Sequence, residues 1–257
     1  MKLEGIHHVT AITADAQDNI DFYAGVLGLR LVKKTVNQDD PTVYHLFYAD
    51  EDGSAGADIT FFEFPGVPNG RAGDGMVHEV AWRVASTEAI DFWAERLAAR
   101  DVETHRGENA LVFRDPEGLQ HVLRVSTVDD PALSAVHPEI PRELALQGFD
   151  GVRAVSSGPG RSEGLLRELG FEPGTDRFTE NSGEARGERR GGTIAYDEPP
   201  EARGLQGAGT VHHVAWASTQ DQHEAWRERI AAGGGHPTPV IDRFYFRSIY
   251  FREPSGV

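Results

Sequence analysis

Residues 6–13 read IHHVTAIT and residues 211–218 read VHHVAWAS. Two further stretches open in the same way, VHEVAWRV from Val77 and FDGVRAVS from Phe149. Each has the apolar, β-branched and aromatic character of a buried strand. Each is followed by a helical stretch. After the first comes AQDNIDFYAGVL from Ala16, where Ile20, Phe22, Tyr23, Val26 and Leu27 recur near the helical period and Gly28 is the stop signal. The second is TEAIDFWAERLAAR from Thr87, the third RSEGLLREL from Arg161, and the fourth TQDQHEAWRERIAA from Thr219. Short strand-like pieces follow: LRLVKKTV, YHLFYAD and DITFFEF in the first repeat, ALVFRDPEG and LQHVLRVS in the second, FYFRSIYFREPSGV in the fourth. The reading is an α+β chain of four βαβββ repeats.

The repeats divide the chain. Residues 1–128 hold the first two, residues 146–257 the last two, and 129–145, with three prolines, read as the linker. Residues 181–192, NSGEARGERRGG, are polar and Gly-rich and are expected to form a hairpin loop. The turn Asp115-Pro116-Glu117-Gly118 in the second repeat matches Glu253-Pro254-Ser255-Gly256 in the fourth. A strand follows the first of these turns at once, whereas the sequence reaches Val257 right after the second, so the last repeat is expected to be incomplete.

Bulk composition narrows the function. The sequence has 257 residues, no cysteine and a formal charge of -16. Thiolate chemistry and disulfides are excluded, and a metal site must use His and carboxylates. So acidic a chain is a poor partner for a phosphate backbone, which argues against nucleic acid. No run approaches the length of a membrane span, and MKLEGIHHVT has no apolar core of a signal peptide, so a cytoplasmic location is expected. Lysine occurs only at Lys2, Lys33 and Lys34. Acidity with scarce Lys fits a salt-adapted host as well as ordinary acidic solubility.

Aligning the openings puts His8, Glu79, Gly151 and His213 at the third position, and His7, His78, Asp150 and His212 at the second. Side chains alternate along a strand, so third-position residues share one face and second-position residues the other face or the rim. Only the first and last repeats carry His at the third position. Two imidazoles from equivalent places on two repeats converge if those repeats share one curved sheet. Neutral imidazole then suits iron, manganese or zinc. Glu79 and Gly151 make a poor counterpart. His45, His105, His121, His137, His223 and His236 have no partner pattern and read as surface or packing residues.

At these residues the chain resembles the vicinal-oxygen-chelate superfamily of glyoxalase I, bleomycin-resistance proteins and extradiol dioxygenases. Within it, the resemblance is closest to ring-cleaving dioxygenases of the hydroquinone type. It covers nearly the whole chain and is carried by GIHHVTAIT, DFYAGVLGLRLVKKTVN, YHLFYAD, VHHVAW and DRFYFRSIYFREPSGV. It implies two domains of curved mixed sheet, with the first repeat paired to the fourth. It also implies Fe(II), or Mn(II), held by His8, His213 and a Glu. That Glu is expected three residues beyond Val257, outside this sequence; Glu63 and Glu253 do not match the motif.

The resemblance further implies His7 as acid/base beside the metal, and His212, Thr10, Arg243 and Tyr250 around the substrate. Without it, Arg243 reads as a solvated strand charge and Tyr250 as a core ring. Phe244 and Phe246 are expected to help line an apolar pocket. The implied reaction takes a small hydroquinone- or catechol-like aromatic and inserts both atoms of O2 with ring opening. Homo-oligomers occur on this fold, though no interface signature is read here. Two other readings stay open: a glyoxalase-type metal-dependent isomerase or lyase, which uses two carboxylates with the two His, and a metal-free binding protein of the bleomycin-resistance sort.

Overall fold

A computed structural model describes residues 1–173, 182–243 and 246–257. The first repeat runs β1 (Ile6–Thr13), α1 (Ala16–Ile20), β2 (Arg30–Val36), β3 (Tyr44–Ala49) and β4 (Asp58–Glu63). The second runs β5 (Met76–Val84), α2 (Thr87–Ala98), β6 (Thr104–Arg106), β7 (Ala110–Arg114) and β8 (Gln120–Val125). The third runs β9 (Phe149–Val155), α3 (Glu163–Glu168), β10 (Glu172–Pro173), β11 (Ser182–Arg186) and β12 (Gly191–Asp197). The fourth has β13 (Val211–Trp216), α4 (His223–Ala232) and a small separate hairpin of β14 (Ile241–Asp242) and β15 (Arg247–Ser248).

Local chemistry sets the helix ends. Asp15 accepts from the amides of Gln17 and Asp18 at 2.8 and 3.0 Å and so caps α1. The helix continues with π-type bonding over Asp21–Val26. Gly28, at φ 70°, then turns the chain; a Cβ there would lie 2.3 Å from Ile140 Cδ1, so the stop is also a packing contact with the linker. Ser86 caps α2, which buries Ala89, Ile90, Trp93 and Leu97. Among the described residues, no helix is long and apolar enough to cross a membrane.

Two mixed sheets carry the fold. One has five strands in the order β13-β1-β4-β3-β2, the other eight in the order β10-β11-β12-β9-β5-β8-β7-β6. The first repeat therefore pairs with the fourth, through antiparallel β1 and β13, and the second with the third, through antiparallel β5 and β9. Each sheet draws a repeat from either side of residues 129–145, so hydrogen bonding crosses the chain-order division. Those residues are firmly docked. Ile140 and Ala145 are in the core. Asp130 pairs with Arg83 and, at 2.8 Å, with Arg186.

The expected loop over 181–192 is corrected by the structure. Residues 182–186 and 191–197 are β11 and β12, paired antiparallel in the eight-stranded sheet. Gly183 and Ala185 are buried while Ser182, Glu184 and Arg186 are not. The alternation of a strand is there, but its inward side is so small that composition hides it.

A buried polar cluster ties the first repeat to the second. Trp82 Nε1 donates to His121 Nδ1 at 3.1 Å. Tyr23 Oη lies 2.9 Å from His121 Nε2 and donates to Asp115 Oδ2 at 2.9 Å. Trp82, His121 and Tyr23 are all fully buried, and burial pushes the His121 imidazole down to about 3, so it stays neutral. His121 is thus a satisfied core residue, as its lack of a pattern suggested.

Candidate metal centre

The pairing of β1 with β13 decides what faces what. Thr10 lies directly opposite His213, and His8 one step further along pairs with Ala215, so His8, Thr10 and His213 share a face. The register slips at His7 on β1 and at His212 on β13. Simple alternation predicts these two histidines on the opposite face or the rim. The bulges instead re-aim them beside their neighbours. His7 Nδ1 lies 3.0 Å from His8 Nδ1, and His212 Nδ1 lies 2.9 Å from His213 Nδ1.

At the centre, His8 Nε2 and His213 Nε2 lie 3.1 Å apart, with the rings at 79°. His8 is held well below the usual imidazole range, first by burial and then by the neighbouring His213, His7 and His45. His213 is pushed down to about 3 by burial, with His212 and His45 adding to it. Both rings are therefore neutral. If each keeps its proton on Nδ1, shared with the adjacent His, two Nε2 lone pairs meet with no proton between them. That arrangement suits a cation at the meeting point. Two nitrogens each about 2.1 Å from one cation and at right angles sit about 3.0 Å apart. The donor set and its spacing fit a divalent metal.

Around this pair stand Thr10 of β1 and residues from two more strands, β3 and β4. Thr10 Oγ1 is 3.1 Å from His213 Nε2 and 2.8 Å from Thr60 Oγ1 on β4. His45, on β3, places Nε2 2.8 Å from Thr60 Oγ1. Its ring packs on Phe47 and Phe62 with centroids 4.0 and 4.4 Å away. Phe62 in turn lies 5.4 Å from the His212 ring. One ligand atom each from His7, His8 and Asp58 lie within 4.8 Å of one another. Burial, reinforced by Asp50, raises the Asp58 carboxyl to about 7.

The residues expected from the sequence fall as follows. Tyr250 meets the His213 ring edge-on at 5.8 Å. Arg243 lies 5.9 Å from the Tyr250 ring and pairs with Asp39. Phe246 is 44 % exposed rather than tucked into a pocket. Phe244 lies outside the described residues. Glu63 Oε1 is taken by the Ala16 amide at 3.0 Å. Glu253 is buried, accepting from Tyr196 at 2.7 Å and from Ser255 at 2.5 Å. Neither substitutes for the expected Glu. His45, Thr60, Phe62 and Asp58 were not anticipated. They sit on β3 and β4, whose register against β1 no single-strand pattern reveals.

The chain is similar to proteins of known family. The family model described as Glyoxalase/Bleomycin resistance protein/Dioxygenase superfamily matches residues 5–123. The provisionally named ring-cleaving dioxygenase MhqO of Bacillus subtilis (strain 168) is 40% identical over 260 residues, covering 98% of this chain and 82% of that protein. A chlorohydroquinone/hydroquinone 1,2-dioxygenase of Sphingobium indicum is 30% identical over 273 residues, covering 100% of this chain and 84% of its own length. A crystal structure of a provisionally assigned dioxygenase from Bacillus subtilis superposes with a TM-score of 0.89 at 38% identity, covering 100% of this chain and 84% of that one.

Proposed function

This chain belongs to the Glyoxalase/Bleomycin resistance protein/Dioxygenase superfamily, and from that premise we propose that it is a metal-dependent ring-cleaving dioxygenase acting on a hydroquinone- or catechol-like aromatic. The observation that carries this reading is the convergence of His8 Nε2 and His213 Nε2 at 3.1 Å. The names of the relatives supply the reaction class.

In this reading His8 and His213 hold Fe(II), or Mn(II), and the resemblance implies a Glu as the third ligand. A bound ion of this kind supplies Lewis acidity toward a ring hydroxyl and electron transfer to O2. The other work belongs to side chains. The Nδ1 contacts of His7 and His212 fix the tautomer and orientation of the two ligands. His7 and His212 are both exposed, which leaves them free to exchange a proton with substrate or solvent. Phe62, Phe47 and the edge of Tyr250 give a flat aromatic substrate apolar surfaces to lie against. Arg243, beside Tyr250, brings positive charge toward oxygen atoms that become anionic.

The test is oxygen uptake by anaerobically purified, Fe(II)-loaded protein on adding hydroquinone, methylhydroquinone or catechol. We expect uptake with at least one of these rings, lost in His8→Ala and His213→Ala. Bound iron with no uptake on any ring would sink the substrate class and favour a glyoxalase-type reaction. No bound metal would favour a binding protein.

A further inference from the structure

Neither the repeat alignment nor the resemblance gives His45 a task. In the structure it ends a chain of polar atoms that begins at the metal centre. His213 Nε2 is 3.1 Å from Thr10 Oγ1, Thr10 Oγ1 is 2.8 Å from Thr60 Oγ1, and Thr60 Oγ1 is 2.8 Å from His45 Nε2. Both threonines are buried, at 0% and 1% exposure. They are direct neighbours across parallel β1 and β4. Phe47 and Phe62 pack against the His45 ring and fix its plane.

Each hydroxyl has a single proton to give. A His213 Nε2 committed to a cation has neither a proton nor a lone pair for Thr10. The Thr10 proton therefore points either back at Thr60 or forward, into the space beside His213. His45 decides between the two. If its Nε2 carries a proton, it donates to Thr60. Thr60 then donates to Thr10, and Thr10 is left to donate forward. If its Nε2 is bare, the whole chain reverses and Thr10 offers only a lone pair. We propose that His45, acting through Thr60, is a positioning residue that holds the Thr10 hydroxyl as a hydrogen-bond donor toward an anionic substrate oxygen beside His213. The proposal rests on the metal-dependent reading above. An ionised ring hydroxyl is the group such a donor serves, because hydrogen bonds to charged oxygen are the strong ones. Burial, with Lys33 nearby, pushes His45 down to about 4, so the ring stays neutral with a single N–H, and the proposal assigns that proton to Nε2, facing Thr60 Oγ1 at 2.8 Å.

The test uses the redox-silent Zn(II)-loaded protein and 4-nitrocatechol, whose visible absorbance reports its ionisation when bound. Zn(II) affinity is measured alongside. We expect Thr60→Val and His45→Phe to bind zinc as the wild type does. Both should bind 4-nitrocatechol about tenfold more weakly and with a less ionised spectrum. Thr60→Ser, which keeps the hydroxyl, should restore both. Unchanged probe binding and spectrum in Thr60→Val and His45→Phe would overturn the proposal, as would a Thr60→Ser that behaves like Thr60→Val. A wild type that binds no zinc, or a His213→Ala that keeps it, would instead bring down the metal reading itself.

Discussion

The five-stranded and eight-stranded sheets are built on the same plan, down to the bulges. The register slips at His7 and His212 in one, and at His78 and Asp150 in the other. What differs is the chemistry at equivalent positions. Where the first sheet has His8 and His213, the second has Glu79 and Gly151. Glu79 is bound by Gln120 at 2.7 Å and lies 3.4 Å from Arg124. Arg153, directly opposite Glu79, is paired with Asp197, which also takes His78 at 2.7 Å. Gly151 leaves no room for a ligand, since a Cβ there would lie 2.0 Å from Thr193 Oγ1. One sheet brings two neutral imidazoles together; the other fills the same place with matched charges. The lesson is that the same strand plan is used twice and that side chains decide what meets at its centre.

The comparison can be broken by exchanging residues. The largest effect is expected for His213→Gly, which copies Gly151 into the five-stranded sheet: metal-dependent oxygen uptake should vanish. The reciprocal Gly151→His should create no second metal site and should lower the unfolding midpoint through the clash with Thr193. Metal analysis and urea unfolding check both. Next in size is Arg153→Ala. It strands Asp197 without its guanidinium and should cost about 3 kcal/mol of stability while sparing oxygen uptake per folded chain.

Smaller effects sharpen the contrast. His7→Phe and His212→Phe remove the Nδ1 partners of the proposed ligands and should weaken metal binding about 10–100-fold, whereas His78→Phe should leave it unchanged. A further effect is in pH dependence. His45 titrates near 4 in the folded chain, below the ordinary 6.5 of an unfolded one. As pH falls below about 6.5 the unfolded chain takes up this proton first, so stability falls until pH reaches about 4. Above pH 6.5 the group contributes no slope. His45→Gln should therefore flatten the stability–pH curve in that window by at most about 1.4 kcal/mol per pH unit, as read by urea unfolding from pH 7.5 to 4.5 on metal-free protein.

Much of this was legible in the chain. The four openings gave away the repeats, and the histidine positions pointed to the first and fourth sharing a sheet. That His8 and His213 converge if those repeats share one sheet followed from their matching places. Three things were not legible. The bulges at His7 and His212 break the two-residue period on which strand reading depends. Gly183 and Ala185 carry a strand whose inner face is too small to register as apolar. His45 and Thr60 reach the centre only through the pairing of β3 and β4 with β1, a long-range fact that local pattern does not encode.

The most direct test is a metal count at one site. Anaerobic dialysis against Fe(II), followed by metal analysis, would be run on the wild type, His8→Ala, His213→Ala and Glu79→Ala. The account predicts about one Fe(II) per chain in the wild type and in Glu79→Ala, and almost none in either histidine variant. Iron retained by both histidine variants, or lost from Glu79→Ala, would contradict it.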